Sequence, residues 1–301
     1  MNRLKTLGVL IGIGVLSVSA KAVQQGGGDK PTMTIEVQKL KDNLFVLSGK
    51  DSTGRDGGGN TAVFVQTNGV TVVDTKNPGW GQPILAKIKE LTNKPVTTII
   101  NTHTHGDHVS GNVAFPSSVQ IVTHSNTRLN MDKMKIFGES KGEGLPTRTF
   151  ADYAALGDGP DRVELRYFGR GHTNGDAWVF FPALRVVHAG DIFPGKQVPI
   201  LDGNNGGSGF DMPRTVGKAH ASLGDVDTII TGHSTVMKPA DLKEWAEFND
   251  DFLAAVREGK AAGSTAVQIA SAWTVPAKYQ GYTVDPKRVQ SNVDVIFKEL
   301  R

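Results

Sequence analysis

The stretch 98–112, TIINTHTHGDHVSGN, decides the reading of this chain. An apolar run rich in β-branched residues ends at Asn101, and His103, His105, Asp107 and His108 follow within six residues. The whole chain holds eight histidines, so three of them gathered around one carboxylate do not read as an ordinary solvated loop. A loop leaving a strand end points alternate side chains the same way, so His103 and His105 converge on one ion. Asp107 and His108 then turn toward a second. Imidazole with carboxylate and no thiolate suits zinc, and also iron or manganese. There is no cysteine, which excludes disulfides, Cys-ligated clusters and a thiol nucleophile.

Outward from that loop the composition is that of a soluble globular chain, 301 residues with 38% hydrophobic and 21% charged. It excludes disorder, collagen-like repeats and a polytopic membrane protein, and it is long enough to bury a core without staples. Residues 1–22 read as a cleaved secretory signal. Arg3 and Lys5 form the basic start, 7–18 the apolar stretch, and Ala20-Lys21-Ala22 the small-x-small cleavage site. About twelve apolar residues are too few to span a bilayer core of roughly 30 Å. The mature protein is therefore expected in the periplasm or outside the cell, with no integral membrane anchor. Cleavage removes Arg3, Lys5 and Lys21, taking Lys plus Arg from 33 to 30 against 30 Asp plus Glu. A formally neutral chain argues against nucleic acid as a partner, since that affinity is built from many basic contacts to phosphate. The expected partner is a small-molecule substrate, and no obligate protein partner is evident.

A Gly-rich leader at 23–33 precedes β-type runs at 34–40, 44–48, 61–66 and 70–74, with Asn68-Gly69 as a hairpin signal. Helical periodicity at 83–91 is followed by a strand at 96–100, a short helix start at 111–115 and a strand at 119–123. The second half predicts strands at 163–168, 177–181, 185–188 and 228–231. In 240–258, Leu242, Trp245, Phe248, Phe252 and Val256 share a helix face, with Pro239 near the start and Gly259 as the stop. Two stretches, 130–149 and 195–214, are polar, Gly-rich and without a clear period, and long loops are more often functional than ornamental. With no Pro-rich linker, 34–301 reads as one domain of strands flanked by helices, closing in C-terminal helices. Each half holds a strand that runs into an aspartate, Asp74 and Asp191.

H-x-H-x-D-H after an apolar strand resembles the signature of the metallo-β-lactamase superfamily, and the rest of that pattern is similar to segments found here in order. His172 stands in FGRGHTNGDAWVFFP, Asp191 in VVHAGDIF and His233 in IITGHS. The resemblance implies an α/β fold, a four-layer αββα sandwich of two mixed β-sheets flanked by helices, with two zinc ions at one edge. It implies His103, His105 and His172 around the first ion, Asp107, His108 and His233 around the second, and Asp191 bridging both. Asp107 would also orient the nucleophile. Asp74 either hydrogen-bonds the metal loop or is a plain turn residue, and Asp176 stands in the same position. His188 reads as a core group or one packed behind the ligands, and His124 and His220 as surface or loop residues. The glycines at 57–59 read as a turn over the site, because no Gly-Lys-Ser/Thr follows them.

Paired divalent ions supply a hydroxide nucleophile at neutral pH and polarise a carbonyl, so no Ser or Cys nucleophile is needed. The expected reaction is hydrolysis of an activated acyl bond. A β-lactam amide is the first choice, and a lactone, ester or glutathione-type thioester is the alternative. Two departures bear on that choice. Many β-lactamases of the superfamily carry Cys where Asp191 stands. Many also carry a substrate-gripping Lys three residues later, where this chain has Pro194, with Lys196 two further on. Lys196, and Asn204 or Asn205 in the run DGNNGGSG at 202–209, are the candidate substrate contacts. A flavodiiron oxidoreductase would need a carboxylate in place of His105 and a flavin domain. An RNA-processing nuclease of the fold would be intracellular and usually carries an inserted second domain. A mononuclear iron persulfide dioxygenase would use His103, His105 or His172 with a carboxylate and a single ion. A non-catalytic metal-binding protein would have no need of all seven ligands.

Overall fold

The strand Ala177–Phe181, AWVFF, is buried at all five positions, which a strand covered on one face only could not be. Ala177, Val179 and Phe181 pack toward a second sheet, while Trp178 and Phe180 pack on the opposite face among helix residues. That alternation dictates four layers. The computed structural model describes residues 31–300. The signal-peptide reading of 1–22 and most of the leader lie outside the described residues, and from Thr32 onward the chain forms one compact unit.

The first half runs β1 (Met33–Lys41), β2 (Leu44–Asp51), β3 (Thr61–Val65), β4 (Val70–Val73), α1 (Gly81–Leu91), β5 (Val96–Asn101), α2 (Gly106–Val109), β6 (Gln120–His124), α3 (Ser125–Met131), α4 (Lys135–Glu139) and β7 (Arg148–Phe150). The second half runs β8 (Tyr153–Leu156), β9 (Val163–Tyr167), β10 (Ala177–Phe181), β11 (Val186–Gly190), α5 (Met212–Ala221), β12 (Thr228–Thr231), α6 (Pro239–Ala261), α7 (Ala266–Ala272) and α8 (Pro286–Glu299). One sheet has the order β1-β2-β3-β4-β5-β6-β7, antiparallel through β4 and parallel from β4 to β7. The other has the order β12-β11-β10-β9-β8, antiparallel except for the parallel pair β11–β12. Both sheets are thus mixed.

Phe64, Val73, Ile100 and Val122 of the first sheet meet Leu165, Val179, Phe181 and Ile230 of the second in the central layer. Ile84 and Ile88 of α1 cover the outer face of the first sheet against Val63, Val72 and Ile99. The α5, α6 and α8 helices cover the second through Val216, Trp245, Phe248 and Val293. The face expected on 240–258 is the one that packs, and Trp245 Nε1 also donates to the Ile192 carbonyl at 2.9 Å, pinning the segment after β11.

Differences from the sequence reading sit at strand ends and in the unassigned stretches. Asp74 leaves the strand expected at 70–74 with a left-handed φ of 60°, and Arg185, at φ 59°, precedes β11 rather than opening it. The stretch 130–149 contains α4 and the start of β7, and 195–214 contains a 3-10 turn at Gly203–Asn205 and the start of α5. Helix α5 carries both Pro213 and Gly217, which weaken its periodic signal.

Phe64 and Phe181 meet edge to face across the central layer, with ring centroids 5.3 Å apart. Phe64→Ala is expected to lower the unfolding free energy by about 3–5 kcal/mol in urea titration, as large buried cavities do.

Candidate metal centre

The chemistry-bearing residues leave the C-terminal ends of neighbouring strands, where open sheets of this kind gather their sites. His103 and His105 follow β5, Asp107 and His108 occupy the single turn of α2, Asp191 follows β11, and His233 follows β12. His172 comes from the connection between β9 and β10. Folding brings these seven together in two groups. His103, His105, His172 and Asp191 place ligand atoms within 4.8 Å of one another, as do Asp107, His108 and His233.

Asp191 faces both groups. Its Oδ2 lies 3.9 Å from His103 Nε2, 3.8 Å from His172 Nε2 and 3.2 Å from His233 Nε2, while Oδ1 lies 3.1 Å from His108 Nε2. Asp107 Oδ2 is 3.2 Å from His233 Nε2. Ring nitrogens point at each other, His172 Nε2 at His105 Nδ1 over 2.9 Å and His108 Nε2 at His233 Nε2 over 3.3 Å. His103 Nε2 is buried with no hydrogen-bond partner, and Asp191 Oδ1 makes no well-directed bond. Buried polar atoms are nearly always satisfied, so these converging lone pairs fit a cation-holding site.

The far side of each ring is tied down. Asp74 takes the Thr102 amide at 2.8 Å through Oδ1, and through Oδ2 it meets the Thr102 hydroxyl and His108 Nδ1, both at 2.7 Å. It is therefore a partner of the metal loop and not a plain turn residue. His172 Nδ1 meets the Ile200 carbonyl at 2.7 Å, and His105 Nε2 meets Asp202 Oδ2 at 2.7 Å. Such outer partners fix which nitrogen is offered to a metal. Burial, reinforced by His108 and His172, holds His103 well below the usual histidine range, and burial with His105 pushes His172 down to about 4. Both are neutral and keep a free lone pair. At His108, burial is outweighed by Asp191 and Asp74, which hold the imidazole well above its ordinary value. At His233, burial is likewise outweighed by Asp191 and Asp107, which push it up to about 9. Without an ion, protonated rings balance the carboxylates.

The profile of the Metallo-beta-lactamase superfamily matches residues 54–233, well over half of the chain. The chain belongs to the metallo-beta-lactamase superfamily. Among its relatives in that superfamily is "Metallo-beta-lactamase type 2" of Elizabethkingia meningoseptica, 26% identical over 73% of this chain and 86% of that protein. "Metallo-beta-lactamase IND-1" of Chryseobacterium indologenes is 24% identical over 60% of this chain and 73% of that one. Among solved structures, the metallo-beta-lactamase from Pontibacter korlensis aligns with a TM-score of 0.61 at 19% identity, covering 72% of this chain and 99% of that chain. The DIM-1 metallo-beta-lactamase aligns at 0.59 and 18%, covering 74% and 99%. The αββα sandwich is therefore the superfamily's fold in this member too.

The expected substrate contacts do not gather as the ligand groups do. Lys196, expected as a grip for substrate, points to α6, where its ammonium lies 2.9 Å from Glu244 and 3.5 Å from Asp241. Asn205 spends its side-chain amide on Asp202 at 2.6 Å, while Asn204 is exposed and gives its backbone N–H to the same carboxylate. His188 is buried, with Nε2 3.2 Å from the Asn60 carbonyl. His124 is not a surface residue: it is buried, stacks on Tyr167 at 4.1 Å and caps α3 by accepting from the Asn126 N–H. His220 is half-buried in the last turn of α5. Asp176 braces the His172 loop by accepting from the Thr173 N–H and hydroxyl, and burial pushes its carboxyl up to about 7.

Two residues escaped the sequence reading. Asp202 lay inside the Gly-rich run already singled out, but only tertiary contact shows that it holds a histidine. Lys76 gave no signal at all. It is fully buried in a left-handed turn at φ 66°, and its Nζ donates to the Gly59 carbonyl at 2.6 Å. A side chain at Gly59 would run into the His108 ring, so Lys76 clamps the 57–59 turn flat against that ring. Burial pushes the Lys76 ammonium down to about 8 against the pull of Asp56, Asp74 and Asp107. In the unfolded chain lysine titrates near 10.4, so between those values the unfolded state binds more protons and stability rises with pH. Lys76→Met removes this contribution. Urea unfolding of both metal-free proteins should show wild type gaining up to about 3 kcal/mol on the variant from pH 8 to 10.4. A flat difference would show that Lys76 is not desolvated.

Proposed function

We propose that this chain is a two-zinc hydrolase that cleaves an activated acyl bond, with β-lactam amides as the first substrates to test. The observation that carries the reading is the position of Asp191, whose carboxylate faces both ligand groups at once. His103, His105 and His172 would hold one ion, Asp107, His108 and His233 the other, with Asp191 shared between them. When bound, the metals would supply a hydroxide at neutral pH and stabilise charge on a carbonyl oxygen. The chain's own part is orientation. Asp74, Asp202 and the Ile200 carbonyl fix the rings from behind, and Asp107, 31% exposed on its side chain, stands at the solvent edge where it can orient a nucleophile.

The relatives named as metallo-beta-lactamases support the β-lactam choice. Hydrolysis of a lactone, ester or glutathione-type thioester is the second reading, favoured by the commitment of Lys196 to Asp241 and Glu244. Export through the N-terminal signal belongs to the same proposal, and no described helix is long and apolar enough to cross a membrane. The test is metal content of the purified protein together with nitrocefin turnover before and after chelation. Two zincs with chelator-sensitive turnover support the β-lactam reading, and two zincs without it redirect the search to lactones and thioesters. A single iron overturns the proposal in favour of a dioxygenase.

Removing an outer partner of a metal ligand typically costs 10–100-fold, so loss of a shared ligand costs more. Asp191→Ala is expected to bind one ion instead of two by elemental analysis, with kcat/KM down by at least about a hundredfold. His188→Ala should keep both ions and lose only about 1–3 kcal/mol of stability. Full activity with two ions in Asp191→Ala would remove the shared-ligand assignment.

A further inference from the structure

Helix α8 buries Val289, Asn292, Val293 and Ile296 on one face. Three of the four are apolar, as a helix packed on a core requires. Asn292 is the exception, 1% exposed in the middle of that face. An amide is buried only where hydrogen bonds offset its loss of water. Both halves of this one are used on the segment that follows β11. Nδ2 donates to the Pro199 carbonyl at 2.5 Å, and Oδ1 accepts from the Leu201 N–H at 3.1 Å.

The residue bracketed by those two bonds is Ile200, whose carbonyl meets His172 Nδ1 at 2.7 Å. A carbonyl only accepts, so Nδ1 carries the proton and Nε2 keeps its lone pair toward Asp191 and the other rings. Two residues on, the Asp202 N–H donates to the His172 carbonyl at 2.9 Å, and the Asp202 carboxylate meets His105 Nε2 at 2.7 Å. Residues 199–202 thus hold two rings of the first ligand group from behind. They belong to no helix or strand, so no ladder of backbone bonds fixes them. Among the described residues, the partner of both the Pro199 carbonyl and the Leu201 N–H is Asn292.

We propose that Asn292 is a positioning residue of the metal centre, fixing residues 199–201 and, through the Ile200 carbonyl, the orientation of the His172 ring. The inference rests on the two-zinc reading for what the ring holds, but the ring's orientation is independent of it. Asn292 lies outside residues 54–233, the part that the superfamily profile matches, so this support comes from the chain's own C-terminal helix. Without the amide, the Ile200 carbonyl is free to turn and Nδ1–H loses its acceptor. The neutral ring then divides between its tautomers, one of which puts a proton where the lone pair is needed.

The experiment uses Asn292→Leu, which keeps the helix face filled but makes neither bond, with Asn292→Ala as a second variant should the first not fold. Val293→Ala is the control, since it removes core packing from the same helix without touching residues 199–201. Two quantities are read. One is the His172 ring N–H signal by nitrogen-15 NMR of the metal-free protein, identified by its absence in His172→Gln. The other is zinc affinity by competition with a chromophoric chelator. The Nδ1–H signal should be lost to exchange in the Asn292 variants and kept in Val293→Ala. Zinc should bind about tenfold more weakly in the Asn292 variants alone, the low end of what removing an outer partner of a ligand costs. An unchanged ring signal or unchanged zinc affinity in a folded Asn292 variant overturns the proposal, as do equal changes in Val293→Ala. The two readings fail separately. Zinc bound equally by wild type and the Asn292 variants removes the role of Asn292 and leaves the two-zinc reading. A wild type that binds no zinc removes that reading, and the ring signal then decides by itself whether Asn292 orients His172.

Discussion

A carboxylate buried among imidazoles is the constraint on which this molecule depends. Asp191 is 2% exposed and lies within 4 Å of four histidine rings. A buried charge without compensation is strongly unfavourable, so the fold must supply either protons on the rings or cations between them. His108 shows the balance most directly, because Asp74 meets its Nδ1 and Asp191 approaches its Nε2. A ring held from both sides cannot rotate away. Protonated, it neutralises the site; deprotonated on Nε2, it offers a lone pair toward the same place.

The rest of the architecture serves that placement. Strands covered on both faces end together at one edge, and most of the candidate ligands stand just beyond those ends, with His172 on the β9–β10 connection. Asp74 turns out of β4 in a left-handed conformation and thereby reaches Thr102 and His108 at once. Asp202 does the same for His105 from a separate segment, and accepts from the Asn204 and Asn205 amides as well. The 202–209 run is thus joined to His105 through one carboxylate, coupling the loop's position to the geometry of the ring. On the other flank, Lys76 secures the glycine turn over His108.

Membership of the superfamily fixes the fold and supports a metal-dependent hydrolase. Lys196, expected to meet a substrate carboxylate, lies instead against two acids of α6. The relatives, at about a quarter identity, carry the superfamily and not a particular substrate.

The sequence by itself determined the candidate ligand types, their order along the chain and most of the strands, because each depends on neighbours a few residues away. Three histidines and an aspartate around one turn are local, and so is the period of AWVFF or of the face from Leu242 to Val256. The ends of elements were less legible, since Asp74 and Arg185 leave their strands through left-handed turns that tertiary hydrogen bonds stabilise. The roles of Asp202, Lys76, Lys196 and His124 were decided only by the tertiary structure. Each depends on a partner at least 17 residues away, apart from the local cap of His124, whose stacking partner Tyr167 is also distant. A polar side chain looks the same in sequence whether it is solvated or buried. Its partner and its surroundings fix its charge and what it can hold, and both exist only once the two sheets have closed on each other.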